Sequence, residues 1–254
     1  MMNIQFVIYQ EEVYVLEVNP RSSRTVPVVS KVTGIPLVAL AVNAQIGESL
    51  QVFMKEFSAY KEPDYYTVKA PVFSKNKLKG VDHILGPEMK STGEAIGMDV
   101  TLEKAIRKAV ILSQHKLNNT KKWFVSVSNH HKEESIPFIQ EIAEKTEIIA
   151  TQGTSTYLEN NQIPSITADR EIADLKKLFL HDPPGYVINI PSIGRDKERF
   201  GFQLRELCIQ LNIPYFTSLE TAKLVWKYQH LEQKDIQSLQ EYLKTMNKVD
   251  SVTL

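Results

Sequence analysis

The sequence has little of several features that would mark a specialised class of protein. Its 254 residues include one cysteine, Cys208, which excludes an internal disulfide or a metal site made of several cysteines. No stretch approaches the ~18 consecutive apolar residues of a membrane-spanning helix, and the N-terminus has neither the basic start nor the apolar core of a secretory signal. We therefore expect a cytoplasmic protein in which Cys208 is a small buried core residue.

An excess of charge of one sign is also missing. Lys and Arg together number 30, and so do Asp and Glu, so no net field would draw the chain to nucleic acid or to an anionic membrane. Any anion site must be built locally. Apolar residues make up 43% of the chain and charged residues 24%, the balance of an ordinary globular protein, and this length suits two small domains.

The first recognisable pattern is a pair of alternating segments near the N-terminus. Residues 4–19 alternate between two faces around a polar turn at residues 10–12, which is typical of a β-hairpin. If the turn is centred on Glu11, residue 5 lies opposite residue 17 and residue 7 lies opposite residue 15.

This register places three polar side chains, Gln5, Glu17 and Asn19, on one face of the hairpin. One carboxylate and two amide oxygens form a set of hard ligands that suits Mg²⁺, which usually completes its shell with water and nucleotide phosphates. The solvated face of an edge hairpin is the alternative interpretation of the spacing.

The residues that follow extend this motif. Residues 17–34 read EVNPRSSRTVPVVSKVTG, and the string closely resembles the metal and phosphate segment of the ATP-grasp domains of carbamoyl-phosphate synthase. The resemblance implies that the three hairpin side chains are ligands of Mg²⁺ (or Mn²⁺) that bridges the phosphates of ATP. It also implies that Arg21 and Arg24 neutralise phosphate charge in catalysis, for which the fixed fork of a guanidinium is well suited.

A second segment, residues 68–94, contains glycine and proline that by themselves predict only a structured loop. Its stretches VKAPVFS and LGPEMKSTGE resemble the second synthetase half of the same family, the half that phosphorylates carbamate. Residues 99–118 then show apolar positions at helical spacing, with Thr101 suited to the N-cap. We expect this helix to close a first domain, the C-terminal part of an ATP-grasp unit, at residues 1–118.

An ATP-grasp site also needs a lobe that holds adenine and a flexible Gly-rich loop over the phosphates. Only four residues precede Gln5, so the motif is half of a site. We expect the chain to be inactive by itself and to need, as partners, the rest of the large subunit and the glutaminase small subunit. A fragment, a split subunit and a remnant with idle metal residues all remain open.

The second half of the sequence alternates strands and helices. Four short apolar runs predict strands at residues 123–127, 148–150, 186–190 and 215–217. Helical patterns lie between them. This order predicts an α/β fold, a Rossmann-like parallel sheet with helices on both faces, at residues 119–254 after a linker at residues 117–122. Such sheets bind ligands at the carboxyl ends of their strands.

Three segments fall at those strand ends. Residues 150–154 (ATQGT) open a helix, so backbone amides and two hydroxyls there suit a phosphate, although a tight turn with a Thr cap is the alternative. Residues 189–195 (NIPSIGR) end another strand, and Lys132 supplies a compact positive charge after the first one.

The order of these segments resembles the methylglyoxal-synthase-like domain, which closes the large subunit of carbamoyl-phosphate synthases and binds effectors, commonly UMP or IMP in bacterial enzymes. The resemblance implies a nucleotide-phosphate pocket lined by Lys132, Thr151, Thr154, Asn189, Ser192 and Arg195. It also matches Tyr215 and Thr217 to positions that contact ornithine where that activator is used.

The sequence departs from this family pattern at three places. The loop at residues 166–175 is short and lacks a basic, Gly-containing stretch, so one expected phosphate-binding Lys has no counterpart. Ala70 stands where ornithine-responsive relatives carry a glutamate. No Gly-Gly-Asp-like segment follows Asn189, so methylglyoxal synthase activity is not expected. A stand-alone nucleotide or phosphate-binding regulatory module without catalysis remains the alternative function.

Several other prominent residues are expected to be structural. His130 and His131 are adjacent and lack the spacing of metal ligands on a helix, so they fit a polar strand-to-helix turn. Trp226 and Tyr228 are expected to pack from a helix, and residues 233–248 suit a charged amphipathic terminal helix.

Overall fold

A computed structural model describes residues 1–49, 51, 63–74, 91–114, 122–191 and 199–228 of the chain. Within these ranges two antiparallel strand pairs and three helices come first, and a five-stranded parallel sheet flanked by helices follows. The mixed architecture confirms the predicted α/β class. The predicted helix at residues 233–248 lies outside the described residues.

The N-terminal hairpin consists of β1 (Asn3–Tyr9) and β2 (Glu12–Asn19). Its turn residues Gln10 and Glu11 have φ values of 49° and 66°, as expected of a two-residue hairpin loop whose twist matches that of the strands. The apolar side chains of both strands are exposed on both faces.

The register of this hairpin differs from the predicted one near the turn. Val7 pairs with Tyr14, not with residue 15, because the turn lies between residues 10 and 11 and is not centred on Glu11. A bulge at Leu16 then shifts the register by one residue. Beyond the bulge, residue 5 pairs with residue 17 as predicted.

Two helices follow, α1 (Thr25–Thr33) and α2 (Leu37–Gln45). Gly34, with φ of 70°, ends α1 in the left-handed conformation that favours glycine. Among the described residues no single helix has the length and apolarity of a membrane span. Only α1 and α2 taken together, with a 112° bend at their break, meet that measure of length and composition.

The described ends of the segment predicted as a loop lie in two strands, which corrects the prediction there, and residues 75–90 lie outside the described residues. β3 (Tyr66–Val72) pairs antiparallel with β4 (Gly93–Asp99). α3 (Leu102–Gln114) begins directly after Thr101, the N-cap that the sequence predicted, while Asp99, at the start of the helical pattern, still pairs with Tyr66 in the ladder.

The parallel sheet has the strand order β7-β6-β5-β8-β9. Its strands are β5 (Lys122–Val127), β6 (Glu147–Thr151), β7 (Ile166–Ala168), β8 (Tyr186–Ile190) and β9 (Tyr215–Phe216). Four of them were predicted. β7 lies within the segment that the sequence predicted as a loop, because three residues are too few to show an alternating pattern.

Helices cover both faces of this sheet. They are α4 (Lys132–Ala143), α5 (Gln152–Asn160), α6 (Ile172–His181), α7 (Phe200–Gln210) and α8 (Leu219–Tyr228). Side chains of α4, α5 and α8 pack in one core cluster with Trp123, and those of α6 and α7 pack in the other with Phe124. Successive side chains of β5 thus point to opposite faces of the sheet and pack in different core clusters.

The structural expectations for single residues are confirmed. Cys208 is a residue of α7 and is fully buried on its core-facing side, and Trp226 and Tyr228 are buried on α8. His130 and His131 lie in a short 3₁₀ turn between β5 and α4. Val110 of α3 packs against the Trp123 cluster, so α3 contacts the second half of the fold, and the predicted domain boundary at residues 118 and 119 stays a prediction.

Candidate functional site

The three predicted metal ligands come together at the open end of the hairpin. Gln5 Nε2 donates to Glu17 Oε1 at 2.7 Å, and Asn19 Nδ2 donates to the same oxygen at 2.8 Å. The bulge at Leu16 makes this possible, since it restores the pairing of Gln5 with Glu17. Glu17 and Asn19 are two residues apart in β2 and therefore share its face.

These residues fit a divalent cation with one rearrangement. Both amide groups now turn their nitrogens toward the carboxylate, and a metal ion would require their oxygens instead. Rotation of each amide by about 180°, which exchanges its nearly isosteric N and O atoms, gives three oxygen donors around one point. Within the described ranges no group of three or more His, Cys, Asp or Glu side chains is placed to hold a metal, so any site here relies on amides.

The two predicted catalytic arginines behave differently. Arg21 Nη1 donates to the carbonyl of Ser22 at 3.0 Å and stays exposed. Arg24 Nη1 donates to the carbonyl of Ser91 at 2.8 Å and lies 3.2 Å from its Oγ. Arg24, at the N-terminus of α1, therefore links the first motif by hydrogen bonds to Ser91 of the LGPEMKSTGE segment. Its catalytic role remains a prediction.

A second cluster lies at the carboxyl edge of the parallel sheet. The chain runs outward from β5 through β6 to β7 and then returns to β8 on the other side of β5, which makes the gap between β5 and β8 the topological switch point where such sheets bind ligands. Ser126 of β5 pairs with Asn189 of β8 at this point.

Lys132 and the first turn of α5 meet at this edge. Lys132 Nζ donates to the carbonyl of Gly153 and lies 5.5 Å from the ring centroid of Tyr157, within the range of a cation–π contact. The ATQGT segment does open a helix, as predicted, with Thr151 at the N-cap. The ammonium group therefore lies beside the positive end of the α5 dipole.

Thr151 and Thr154 connect the ends of β5 and β6. Thr154 Oγ1 accepts from the backbone N–H of Val127 at 3.2 Å and from Thr151 Oγ1 at 3.2 Å. A hydroxyl has two acceptor lone pairs and one donor. Since both lone pairs of Thr154 are in use, its O–H is left to donate.

Asn189 makes a contact that the sequence analysis missed. Arg205 Nη1 donates to Asn189 Oδ1, and the two residues are 4% and 2% exposed. The sequence did carry a signal, because Arg205 lies three residues from both Phe202 and Cys208 on the buried face of α7. A charged side chain on an apolar helix face is almost never fully buried without a partner, so the position of Arg205 indicated a buried polar contact.

Several predicted positions remain untested by this geometry. Ser192 and Arg195 lie outside the described residues. Tyr215, matched to an ornithine-contacting position, is buried in β9 as part of the core. The structure thus brings together Lys132, Thr151 and Thr154, and it places Asn189 on the neighbouring strand end.

The hairpin cluster, and the second cluster apart from Lys132, lie in segments that match known families. Residues 1–53 match the "Carbamoyl-phosphate synthase L chain, ATP binding domain", and residues 134–217 match the "MGS-like domain". The chain thus combines a fragment of an ATP-grasp domain with a Rossmann-type MGS-like domain.

One relative is similar over most of the chain. The carbamoyl phosphate synthase large chain of Lachnoclostridium phytofermentans is 42% identical in an alignment 226 residues long that covers 87% of this chain. The protein is therefore homologous to the C-terminal part of the carbamoyl-phosphate synthase large chain. It spans 21% of the length of that relative.

Proposed function

We propose that this chain supplies the Mg²⁺ and ATP-phosphate ligands of a carbamate-phosphorylating site, together with the allosteric domain of that enzyme. The enzyme would be a glutamine-hydrolysing carbamoyl-phosphate synthase, an ATP-dependent ligase that makes carbamoyl phosphate from bicarbonate and glutamine-derived ammonia. The observation that carries the proposal is the convergence of Gln5 and Asn19 on Glu17, directly before the two arginines of the matched ATP-binding segment.

The chemistry follows from the donor set. Mg²⁺ or Mn²⁺ held with ATP would neutralise charge on the phosphate oxygens as the phosphoryl group transfers. Glu17 supplies the anionic ligand, and the amides of Gln5 and Asn19 supply neutral oxygens once they rotate. Arg21, exposed and two residues after Asn19, would pair with a phosphate oxygen.

We further propose that the chain does not turn over ATP alone. Its partners would be the rest of the large subunit, which holds adenine and covers the phosphates, and the glutaminase small subunit, in the cytoplasm. The apolar side chains on both faces of β1 and β2 support this proposal, because exposed apolar patches of this kind mark contact surfaces.

Reconstitution tests the catalytic part. The full 254-residue chain is mixed with the L. phytofermentans large chain truncated to lack its matching segment, and carbamoyl phosphate formed from ammonia, bicarbonate and ATP is measured. We expect neither part to be active alone and the mixture to be active. Glu17→Gln should lower that activity by about 100-fold or more, since it removes the anionic metal ligand.

Glu12→Gln is the matched control, since Glu12 lies in the same strand at the turn end and should leave activity unchanged. A mixture that associates, shown by co-elution, but has no Glu17-dependent activity would reject the catalytic proposal.

A second function belongs to the carboxyl edge of the parallel sheet. We propose that this edge binds the phosphate of a nucleotide effector such as UMP or IMP. Lys132, Thr154 and Asn189 offer an ammonium, a hydroxyl and an amide donor there, beside the N-terminus of α5. All of these groups donate hydrogen bonds, and a phosphate oxygen accepts them.

Titration calorimetry of the chain with UMP, IMP and inorganic phosphate tests this proposal. We expect Lys132→Met and Thr154→Val each to weaken binding by about tenfold or more, the cost of one charged or buried donor. Lys176→Met, which removes an exposed lysine of α6, should have no effect.

Two further outcomes separate the alternatives. Nucleotide binding combined with a mixture that never makes carbamoyl phosphate would favour a stand-alone regulatory module. The absence of any titration heat and of any thermal stabilisation with all three ligands would reject the effector site.

A further inference from the structure

Arg205 is a charged side chain buried at the effector edge, one strand away from the phosphate cluster. It is 4% exposed, and desolvating a guanidinium is costly unless hydrogen bonds satisfy it. The helical residue Arg205 extends toward the N-terminus of α7, as long helical side chains do, and Nη1 reaches Asn189 Oδ1 in the middle of the sheet edge.

The chemistry of Arg fixes which way round the Asn189 amide stands. A guanidinium has only donors, so the atom of Asn189 that faces Arg205 must be the oxygen. The NH₂ group lies in the same carboxamide plane, on the opposite side of the Cβ–Cγ axis from the oxygen, and it can only donate. The assignment of the amide thus follows from its partner rather than from a choice between near-identical atoms.

The start of α7 packs tightly against this pair. A Cβ placed on Gly201 would lie 3.3 Å from both Arg205 Nη1 and Asn189 Oδ1 and 3.4 Å from Asn189 Nδ2, closer than ordinary contact, so Gly201 packs against both ends of the amide. The backbone of the first helical turn therefore confines the amide and the guanidinium. The positive end of the α7 dipole adds to the guanidinium charge at this edge.

We propose that Arg205 is a positioning residue that locks Asn189 with its NH₂ group facing the effector site, so that this position accepts only a hydrogen-bond acceptor such as a phosphate or carbonyl oxygen. The proposal rests on the effector function proposed above. Because its oxygen accepts from Arg205, Asn189 can only donate to a ligand. In the same way, Thr154 can only donate, because its oxygen already accepts two hydrogen bonds.

A double-mutant cycle on nucleotide affinity tests the proposal. UMP binding to the full chain is measured for wild type, Arg205→Met, Asn189→Ala and the double variant. If Arg205 acts through Asn189, each single change weakens binding by about tenfold or more and the double variant is no weaker than the single ones. Arg205→Lys, which keeps a donor-only cation, should recover most of the affinity.

A second variant keeps the test valid if Arg205→Met does not fold. Asn189→Asp retains an oxygen for Arg205 and replaces the NH₂ donor with a second acceptor. It should therefore fold with a melting temperature at least equal to that of wild type and yet lose UMP binding by at least tenfold.

The outcomes are distinct. Additive losses in the double variant, or wild-type affinity in Arg205→Met or Asn189→Asp, would overturn the positioning role while leaving the effector site intact. Failure of the wild-type chain to bind UMP, IMP or phosphate would instead remove the effector site itself, and this inference with it.

Discussion

Gly97 lies in β4 directly beneath α3, where the strand and the helix approach closely. A Cβ at this position would lie 2.0 Å from the carbonyl oxygen of Ala105 and 2.5 Å from the backbone nitrogen of Ala109. Neither atom belongs to a flexible side chain. The helix must therefore move if any side chain is introduced.

We predict that Gly97→Ala lowers the free energy of unfolding by about 2–3 kcal/mol, because overpacking against backbone displaces the helix. Gly93→Ala, in the same strand, is the control, since its Cβ would meet only Val72 at an ordinary 3.7 Å. Urea unfolding of both variants checks the prediction. Equal unfolding midpoints for Gly97→Ala and Gly93→Ala would contradict it, since they would show that α3 shifts at little cost in free energy.

Asp99 ends β4 and forms an ion pair with Lys108 at 2.8 Å. Burial by itself would raise the pKa of this carboxyl group, but hydrogen bonds from Lys108 and from the Thr101 N–H, with the charges of Lys108 and Lys104, outweigh it and hold the pKa below its ordinary value. A carboxyl group whose pKa is lower in the folded state stabilises the fold above its unfolded pKa, and loses that effect as the pH falls through the folded pKa.

We predict that Asp99→Asn costs about 1–2 kcal/mol of unfolding free energy at pH 7, and that the difference from wild type shrinks below about pH 4. Asp174→Asn breaks an exposed pair with Lys177 and should change stability by less than about 0.5 kcal/mol. A gap between wild type and Asp99→Asn that is constant from pH 7 to pH 2.5 would contradict the account.

Single residues were predictable where a pattern or a resemblance fixed their role. Cys208 and Trp226 were expected in the core and lie there, because apolar spacing on a helix determines burial. The Arg205–Asn189 contact was not predicted, since it joins α7 to β8 and no local pattern reveals which strand a buried cation meets.

At the scale of elements, the N-terminal hairpin and the parallel sheet contrast in burial. Ile8 in β1 is 73% exposed, whereas Ile188 in β8 is 0% exposed and belongs to the core. Two isoleucines in strands thus make very different contributions to the free energy of folding.

We predict that Ile188→Ala costs about 2–5 kcal/mol, the usual price of a cavity in a packed core, and that Ile8→Ala changes the unfolding free energy by less than about 0.5 kcal/mol. Thermal or urea unfolding of the two variants measures both values. A large loss for Ile8→Ala would mean that the hairpin is covered in the isolated chain.

The sequence predicted elements better than their registers. Continuous apolar runs predicted β5 and β8, while the glycines and prolines of residues 68–94 led to the prediction of a loop where β3 and the start of β4 lie. In the hairpin, alternation showed both strands but could not show the bulge at Leu16, because an extra residue leaves the local pattern unchanged on either side.

At the scale of the whole molecule, the two proposed functions belong to successive parts of the sequence, and the structure gives each part its own framework. The hairpin cluster stands on an antiparallel pair, and the effector cluster stands on the edge of a parallel sheet. Neither cluster follows from composition. Resemblance to a family predicted the metal ligands, and the fold then showed that Gln5, Glu17 and Asn19 meet.

The central claim, that the hairpin cluster holds a divalent metal, is tested most directly by NMR of side-chain amides in the full chain. On addition of Mn²⁺, the NH₂ resonances of Gln5 and Asn19 should broaden selectively, and Mg²⁺ should shift them as both amides turn their oxygens to the metal. Glu17→Gln should abolish both effects, while Glu12→Gln should not. Unchanged resonances in wild type, or broadening that persists in Glu17→Gln, would contradict the claim.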